Sequence, residues 1–179
     1  GLGRSRELQL LVRKIVRSAE CPVVLDADGL NNLADSNWRP SNVRAPLVIT
    51  PHPGEWSRLC GVPASDRTGQ TLSAVNFAKE FGITVVLKGQ HTLVTDGESA
   101  VLNATGTPAM AIGGSGDVLT GIITALICQG LAPRDAAHLG VCVHGLAGEL
   151  AQARLQSHVI LPTDLIDSIG AAFRQCRAM

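Results

Sequence analysis

Three short apolar runs, each closing on a polar loop, constrain the fold more than any other feature of this chain. Pro22-Val23-Val24-Leu25 delivers Asp26 and Asp28, Leu47-Val48-Ile49 delivers Thr50-Pro51-His52, and Thr84-Val85-Val86-Leu87 delivers Lys88-Gly89. Runs this short and this rich in branched residues read as buried strands. Helical patterns lie between them. From Ser5 to Glu20, Leu8, Leu11, Val12, Ile15 and Val16 share one helix face and Arg13, Lys14 and Arg17 take the other. A second helix is expected from Thr71 to Phe81. Strand and helix in alternation predict a mostly parallel sheet with helices on both faces, in a single domain over residues 1–179. His91 to Thr95 and Ala100 to Asn103 predict a hairpin turned at Asp96-Gly97. Beyond it helices are expected over Val118 to Cys128, Pro133 to Ala153 and Thr163 to Phe173. In open α/β sheets ligands bind beyond the carboxyl ends of the strands, so the three polar loops point to one functional edge.

Composition excludes several classes. With 45% hydrophobic and 17% charged residues the chain carries a sizeable core and is no disordered segment. Its 15 basic residues balance its 15 acidic ones. No long-range field then favours nucleic acid or an anionic membrane, and a phosphate ligand must be held by local geometry. Two Trp, three Phe and no Tyr leave few platforms for stacking nucleic-acid bases. No apolar run approaches the roughly 18 residues of a membrane helix, and no signal segment opens the chain. Five cysteines without metal-ligand spacing suggest neither a disulfide framework nor a zinc site. The chain reads as soluble, in a reducing, cytoplasmic compartment.

The strongest chemical signal is Ala111-Ile112-Gly113-Gly114-Ser115-Gly116-Asp117, running into the apolar helix face of Val118, Leu119, Ile122, Ile123, Leu126 and Ile127. Glycines ahead of a helix let backbone N–H groups approach an anion, and the helix terminus adds partial positive charge. This phosphate cradle is not a Walker loop, since no Lys-Ser/Thr follows. Nor is it a dinucleotide fingerprint, since Leu119 stands where the third glycine belongs. Asp117 is the oddity. A carboxylate inside an anion cradle is repelled by phosphate unless it takes the proton of a hydroxyl attacking phosphorus. The other open reading is that Asp117 complements the helix N-terminus.

The remaining motifs each admit two readings. In Thr50-Pro51-His52-Pro53-Gly54-Glu55 the prolines stiffen a loop after a strand. His52 and Glu55 are either site residues or the two ends of a capping box. Lys88, Gly89, Gln90, His91 and Thr92 follow a strand directly, so Lys88 either meets phosphate or is an ordinary exposed lysine. Asp26 and Asp28 either meet Mg2+ through waters or serve as turn acids, with Asn31 and Asn32 in the following loop. The small residues of His144-Gly145-Leu146-Ala147-Gly148 fit close helix packing.

Taken together, VLDADGLN, TPHPGE, LKGQHT, NATGTPAMAIGGSGDVLTGII and HGLAGELA resemble, in order and spacing, the NAD(P)H-hydrate dehydratases, enzymes of the ribokinase-like class. The resemblance runs from Gly1 to about Ile169, and Gly1-Leu2-Gly3 is similar to the end of the family's Gly-Pro-Gly-Leu-Gly loop. It implies a ribokinase-like three-layer α/β/α sandwich, here lacking its N-terminal part, with weak or no activity expected of these 179 residues alone. It implies that hydrated NADH or NADPH loses water at the expense of ADP or ATP. The C6 hydroxyl would be phosphorylated and phosphate eliminated, because hydroxide leaves poorly and a phosphate ester leaves well. Asp117 would take the hydroxyl proton. Gly3, His52 and Asp117 would contact the hydrate. Lys88, Gly89, Gln90, His91 and Thr92, with Gly114, Ser115 and Gly116, would bind the nucleotide. Mg2+ is expected on the nucleotide phosphates with no protein ligands of its own. Other copies of the chain and an epimerase domain fused upstream are the expected protein partners.

The turn departs from the Gly-Ala-Gly-Asp of sugar and vitamin kinases, and His52-Pro53-Gly54-Glu55 departs from their Asn-x-x-Glu loop; both favour the dehydratase branch. A kinase of a small alcohol and a non-enzymatic adenylate sensor are the alternatives.

Overall fold

The computed structural model describes residues 1–37, 39–41 and 43–177, so Trp38, counted above among the aromatics, lies outside them. The chain divides into two compact units, Gly1–Leu102 and Asn103–Met179.

The first unit contains α1 (Arg6–Ser18), β1 (Val23–Leu25), α2 (Asp28–Asp35), β2 (Leu47–Ile49), α3 (Pro53–Cys60), α4 (Arg67–Phe81), β3 (Thr84–Leu87), β4 (Leu93–Thr95) and β5 (Ala100–Leu102). One sheet runs in the order β1-β2-β3-β4-β5. The first three strands are parallel, with Val23 opposite Leu47 and Val48 opposite Thr84. β4 and β5 continue the sheet antiparallel, as the expected hairpin. Period-two alternation sends Leu47, Ile49, Val85, Leu87 and Leu93 into one core with Val12 and Val16 of α1, Leu30 and Leu33 of α2, Trp56 of α3 and Phe77 of α4. Val48, Val86 and Val94, on the opposite face, are buried as well. Trp56 and Phe77 meet edge to face at 5.3 Å between ring centroids.

Asn31 and Asn32, expected in a loop, are helical, and the reason is non-local. Asp28 opens α2 and its carboxylate accepts the backbone N–H of Gly3 at 2.8 Å. The Asn32 amide donates to the carbonyls of Gly3 and Asp28 at 2.9 and 2.7 Å. A segment about 25 residues away in sequence thus holds the helix start, and periodicity does not report such contacts.

The second unit contains a 3-10 turn (Pro108–Met110), α5 (Ser115–Cys128), α6 (Pro133–Leu155) and α7 (Pro162–Cys176). Its core joins Ile122 and Leu126 of α5, Val143 and Leu146 of α6 and Ala172 of α7. The glycines of α6 are packing residues: a Cβ on Gly145 would lie 2.1 Å from Thr105 Oγ1, and one on Gly148 would lie 2.2 Å from Met110 Sδ. Among the described residues no helix is long and apolar enough to cross a membrane.

Candidate functional site

α5 begins with the glycine-rich turn. Gly114 is its N-cap, at φ +91°, with no side-chain cap. A side chain there would suffer both the left-handed backbone and a Cβ 2.9 Å from Pro162 Cγ, so glycine is required. The Ser115 N–H turns back to the Ile112 carbonyl at 3.3 Å. Gly116 and Asp117 follow as the second and third helical residues, whose N–H groups a helix leaves without intrahelical partners. Those amides and the helix dipole together suit an anion.

The Ser115 side chain does not face outward. It is 7% exposed, and its hydroxyl lies 3.2 Å from His144 Nε2, which also lies 3.0 Å from the Ser115 carbonyl oxygen. His144, on α6, therefore fastens the first turn of α5. The small residues of its segment fit close packing, and a contact across 29 residues has no local signature in the sequence.

Asp117 is exposed, and its carboxylate has no ion-pair or hydrogen-bond partner among the described residues. Gly114 and Asp117 stand at one end of an apolar groove of about 600 Å³, continued by Val118, Ile122, Ile166 and Phe173.

In the first unit the carboxyl ends of β1, β2 and β3 bring Asp26, His52, Glu55 and Lys88 together. Lys88 Nζ lies 2.8 Å from Asp26 Oδ1 and 4.0 Å from Glu55 Oε2. The Lys88 N–H donates to the Pro51 carbonyl at 2.8 Å, tying the two loops. His52 caps α3: its Nδ1 accepts the N–H groups of Gly54 and Glu55, and Glu55 Oε2 accepts the His52 N–H at 2.7 Å. The capping-box reading of TPHPGE is thus realised, with Pro53 in the first helical position. Asp26 and Asp28 are both engaged with protein groups, Lys88 and the Gly3 amide.

The loop after β3 bends through Gly89 at φ +145° and the non-glycine His91 at φ +54°. Gln90 and His91 are exposed, and the Thr92 hydroxyl donates to the Gly89 carbonyl at 3.1 Å. Arg67, at the start of α4, donates to the carbonyls of Lys88 and His91 at 3.3 and 3.4 Å. A Cβ on Gly89 would lie 3.3 Å from that guanidinium, so glycine lets the loop close over it. Burial pulls the Arg67 pKa below its ordinary value. Arg67 was missed in the sequence because it lies 21 residues before the carbonyl it binds.

The first unit thus carries Gly3, His52 and Lys88 to Thr92, and the second carries Gly114 to Asp117. A family model described as NAD(P)H-hydrate dehydratase matches residues 1–170. A bifunctional NAD(P)H-hydrate repair enzyme of Moorella thermoacetica is 40% identical over 177 residues, covering 97% of this chain and 33% of its own length. The chain therefore spans about a third of the length of the curated relatives it matches. Among solved structures, the ADP/ATP-dependent NAD(P)H-hydrate dehydratase from Bacillus subtilis, co-crystallized with ATP/Mg2+, superposes with a TM-score of 0.86 at 31% identity. It covers 98% of this chain and 62% of that one. A ribokinase-like superfamily protein from Enterococcus faecalis superposes with a TM-score of 0.82 at 26% identity over 98% of this chain and 61% of that one.

Proposed function

This chain belongs to the NAD(P)H-hydrate dehydratase family, and from that premise we propose that it dehydrates hydrated NADH or NADPH at the expense of ADP or ATP. The observation that carries the reading is the unpartnered, exposed carboxylate of Asp117 in the first turn of a helix whose N-terminus is otherwise built for an anion.

Asp117 accepts the proton of the C6 hydroxyl as its oxygen attacks the terminal phosphorus of the nucleotide, whose phosphoanhydride bond breaks to release AMP from ADP or ADP from ATP. The N–H groups of Gly114 and Gly116, on either side of the Ser115 N–H that is turned back to Ile112, hold the transferring phosphoryl group. The C6–O bond then breaks as the ring nitrogen donates its electron pair. Phosphate departs and the adjacent ring carbon loses a proton, restoring the dihydronicotinamide. Gly3 and His52 contact the hydrate, and Lys88 to Thr92 bind the adenine nucleotide.

Mg2+ would ride on the nucleotide phosphates. Among the described residues no group of three His, Cys, Asp or Glu side chains converges as a metal site, and Asp26 and Glu55 are turned to Lys88 and to the loop backbone. The residues present do not fit a protein cage for the ion. The protein is proposed to act in the cytoplasm as a homo-oligomer, with an epimerase domain fused upstream.

Incubation of the full-length protein with hydrated NADH and either ADP or ATP tests the proposal. Recovery of absorbance at the reduced-nicotinamide band, strictly dependent on nucleotide, is expected. Turnover of a thiazole or pyrimidine vitamin alcohol without that recovery would overturn it in favour of a small-alcohol kinase. With oxygen-labelled hydrate the label is expected in phosphate, and its release as water would refute phosphorylation.

A further inference from the structure

His52 fills a role that serine, threonine, asparagine and aspartate usually take: its ring caps a helix. Nδ1 accepts the N–H of Gly54 at 3.0 Å and of Glu55 at 3.3 Å. A ring nitrogen that accepts carries no proton, so in this arrangement the imidazole N–H is Nε2–H. Glu55 completes the arrangement from the other side. Its carboxylate is 6% exposed, with Oε2 on the His52 backbone N–H at 2.7 Å and Oε1 3.4 Å from His52 Nε2. Lys88, 4.0 Å from Oε2, offsets the charge of the buried carboxylate. The 3.4 Å separation is longer than a well-formed N–H···O bond. Glu55 therefore biases the Nε2 proton by its charge without consuming it, and the ring remains 49% exposed.

We propose that Glu55 is a positioning residue that holds His52 in its Nε2–H tautomer, so that His52 meets the hydrated dinucleotide as a hydrogen-bond donor to a phosphate or carboxamide oxygen. His52 then takes no part in proton abstraction, which falls to Asp117. The inference rests on the reading that His52 contacts the hydrate.

The test uses the whole 179-residue chain. Nitrogen-15 shifts of the His52 imidazole are expected to show a pyrrole-like Nε2 and a pyridine-like Nδ1. In Glu55→Gln the side-chain oxygen can still accept the His52 N–H, but its NH2 group then faces Nε2, donor against donor. The ring then turns off the cap, Nδ1 is no longer held as an acceptor and the second tautomer becomes populated, and affinity for hydrated NADPH is expected to fall about tenfold while nucleotide affinity holds. Should Glu55→Gln fail to fold, His52→Asn keeps the helix cap and removes the Nε2 donor, with the same tenfold loss expected. A proton on Nδ1 in the unaltered chain overturns the proposal, as does Glu55→Gln with unchanged shifts and unchanged hydrate affinity. The tautomer is read without turnover. An intact Nε2–H tautomer with no binding of hydrated NADPH therefore overturns the donor role through failure of the dehydratase reading, whereas a wrong tautomer overturns the positioning itself.

Discussion

At the ends of β1, β2 and β3 the ionisable groups answer one another: Lys88 lies 2.8 Å from Asp26 and 4.0 Å from Glu55, and Glu55 lies 3.4 Å from His52. Asp117, in the first turn of α5, is exposed and has no partner among the described residues. Both are polar clusters beside glycine-containing turns, yet one closes its charges internally and the other leaves them open. A charge already answered by its neighbours shapes a loop. A charge left open beside unused helix N–H groups is available to a reacting ligand.

The largest expected effect tests the open side. Asp117→Asn should lower nucleotide-dependent hydrate turnover by about 10²- to 10⁴-fold, the usual contribution of a positioned general base. Nucleotide affinity should be retained or improved, because one repulsive charge is removed. Steady-state kinetics paired with nucleotide titration reads both, and undiminished turnover would leave Asp117 as a helix-end acid only.

On the closed side, Lys88→Met leaves Asp26 and Glu55 without their shared cation in a largely buried setting. Removing one partner of such a cluster costs about 3–5 kcal/mol, to be read from the shift in a urea unfolding midpoint. A cost near zero would mean that the cluster is solvated and the contrast with Asp117 is one of degree. Gly114→Ala should cost about 1–3 kcal/mol through its left-handed backbone and should weaken nucleotide binding as the turn moves off Pro162.

The smallest effect concerns a carboxylate held by hydrogen bonds. Burial tends to raise the pKa of Asp96, but the backbone N–H groups of Ser99 and Glu98 and the Ser99 hydroxyl outweigh it and hold the group below its ordinary value. The charged form is the one stabilised in the fold. Its contribution is therefore present above the ordinary carboxylate pKa of about 3.9 and lost as pH falls through the lower folded value. The stability gap between the parent chain and Asp96→Ala should narrow on acidification through that range.

β2 and β3 were legible because burial on both faces writes itself as unbroken apolar runs, and they have the expected limits; β1, expected as a buried strand, is only half-buried and starts one residue later, at Val23. Helix starts were less legible. α4 begins at Arg67, ahead of Thr71, because the Asp66 side chain caps the Gly69 N–H at 2.8 Å before the apolar pattern begins. α5 likewise begins at Ser115, ahead of Val118, with a polar first turn that carries no periodicity. Of the site, the His52–Glu55 capping box could be weighed from its spacing, whereas His144, Arg67 and the Asp26–Lys88 pair could not. Each of these acts on a group between 21 and 62 residues away.

The sequence by itself determined the alternation of strand and helix, the hairpin at Asp96-Gly97, the glycine-rich helix start with Asp117, and, through its motifs, the family. These follow from periodicity and short-range chemistry, which any local window records. Only the tertiary structure decided which charges were answered. It paired Lys88 with Asp26, turned the Ser115 hydroxyl toward His144, and bound Gly3 to Asp28. Whether a carboxylate is a structural partner or an open base depends on what folding brings within a few ångströms of it, because the interaction of two charges is set by their separation and surroundings in space.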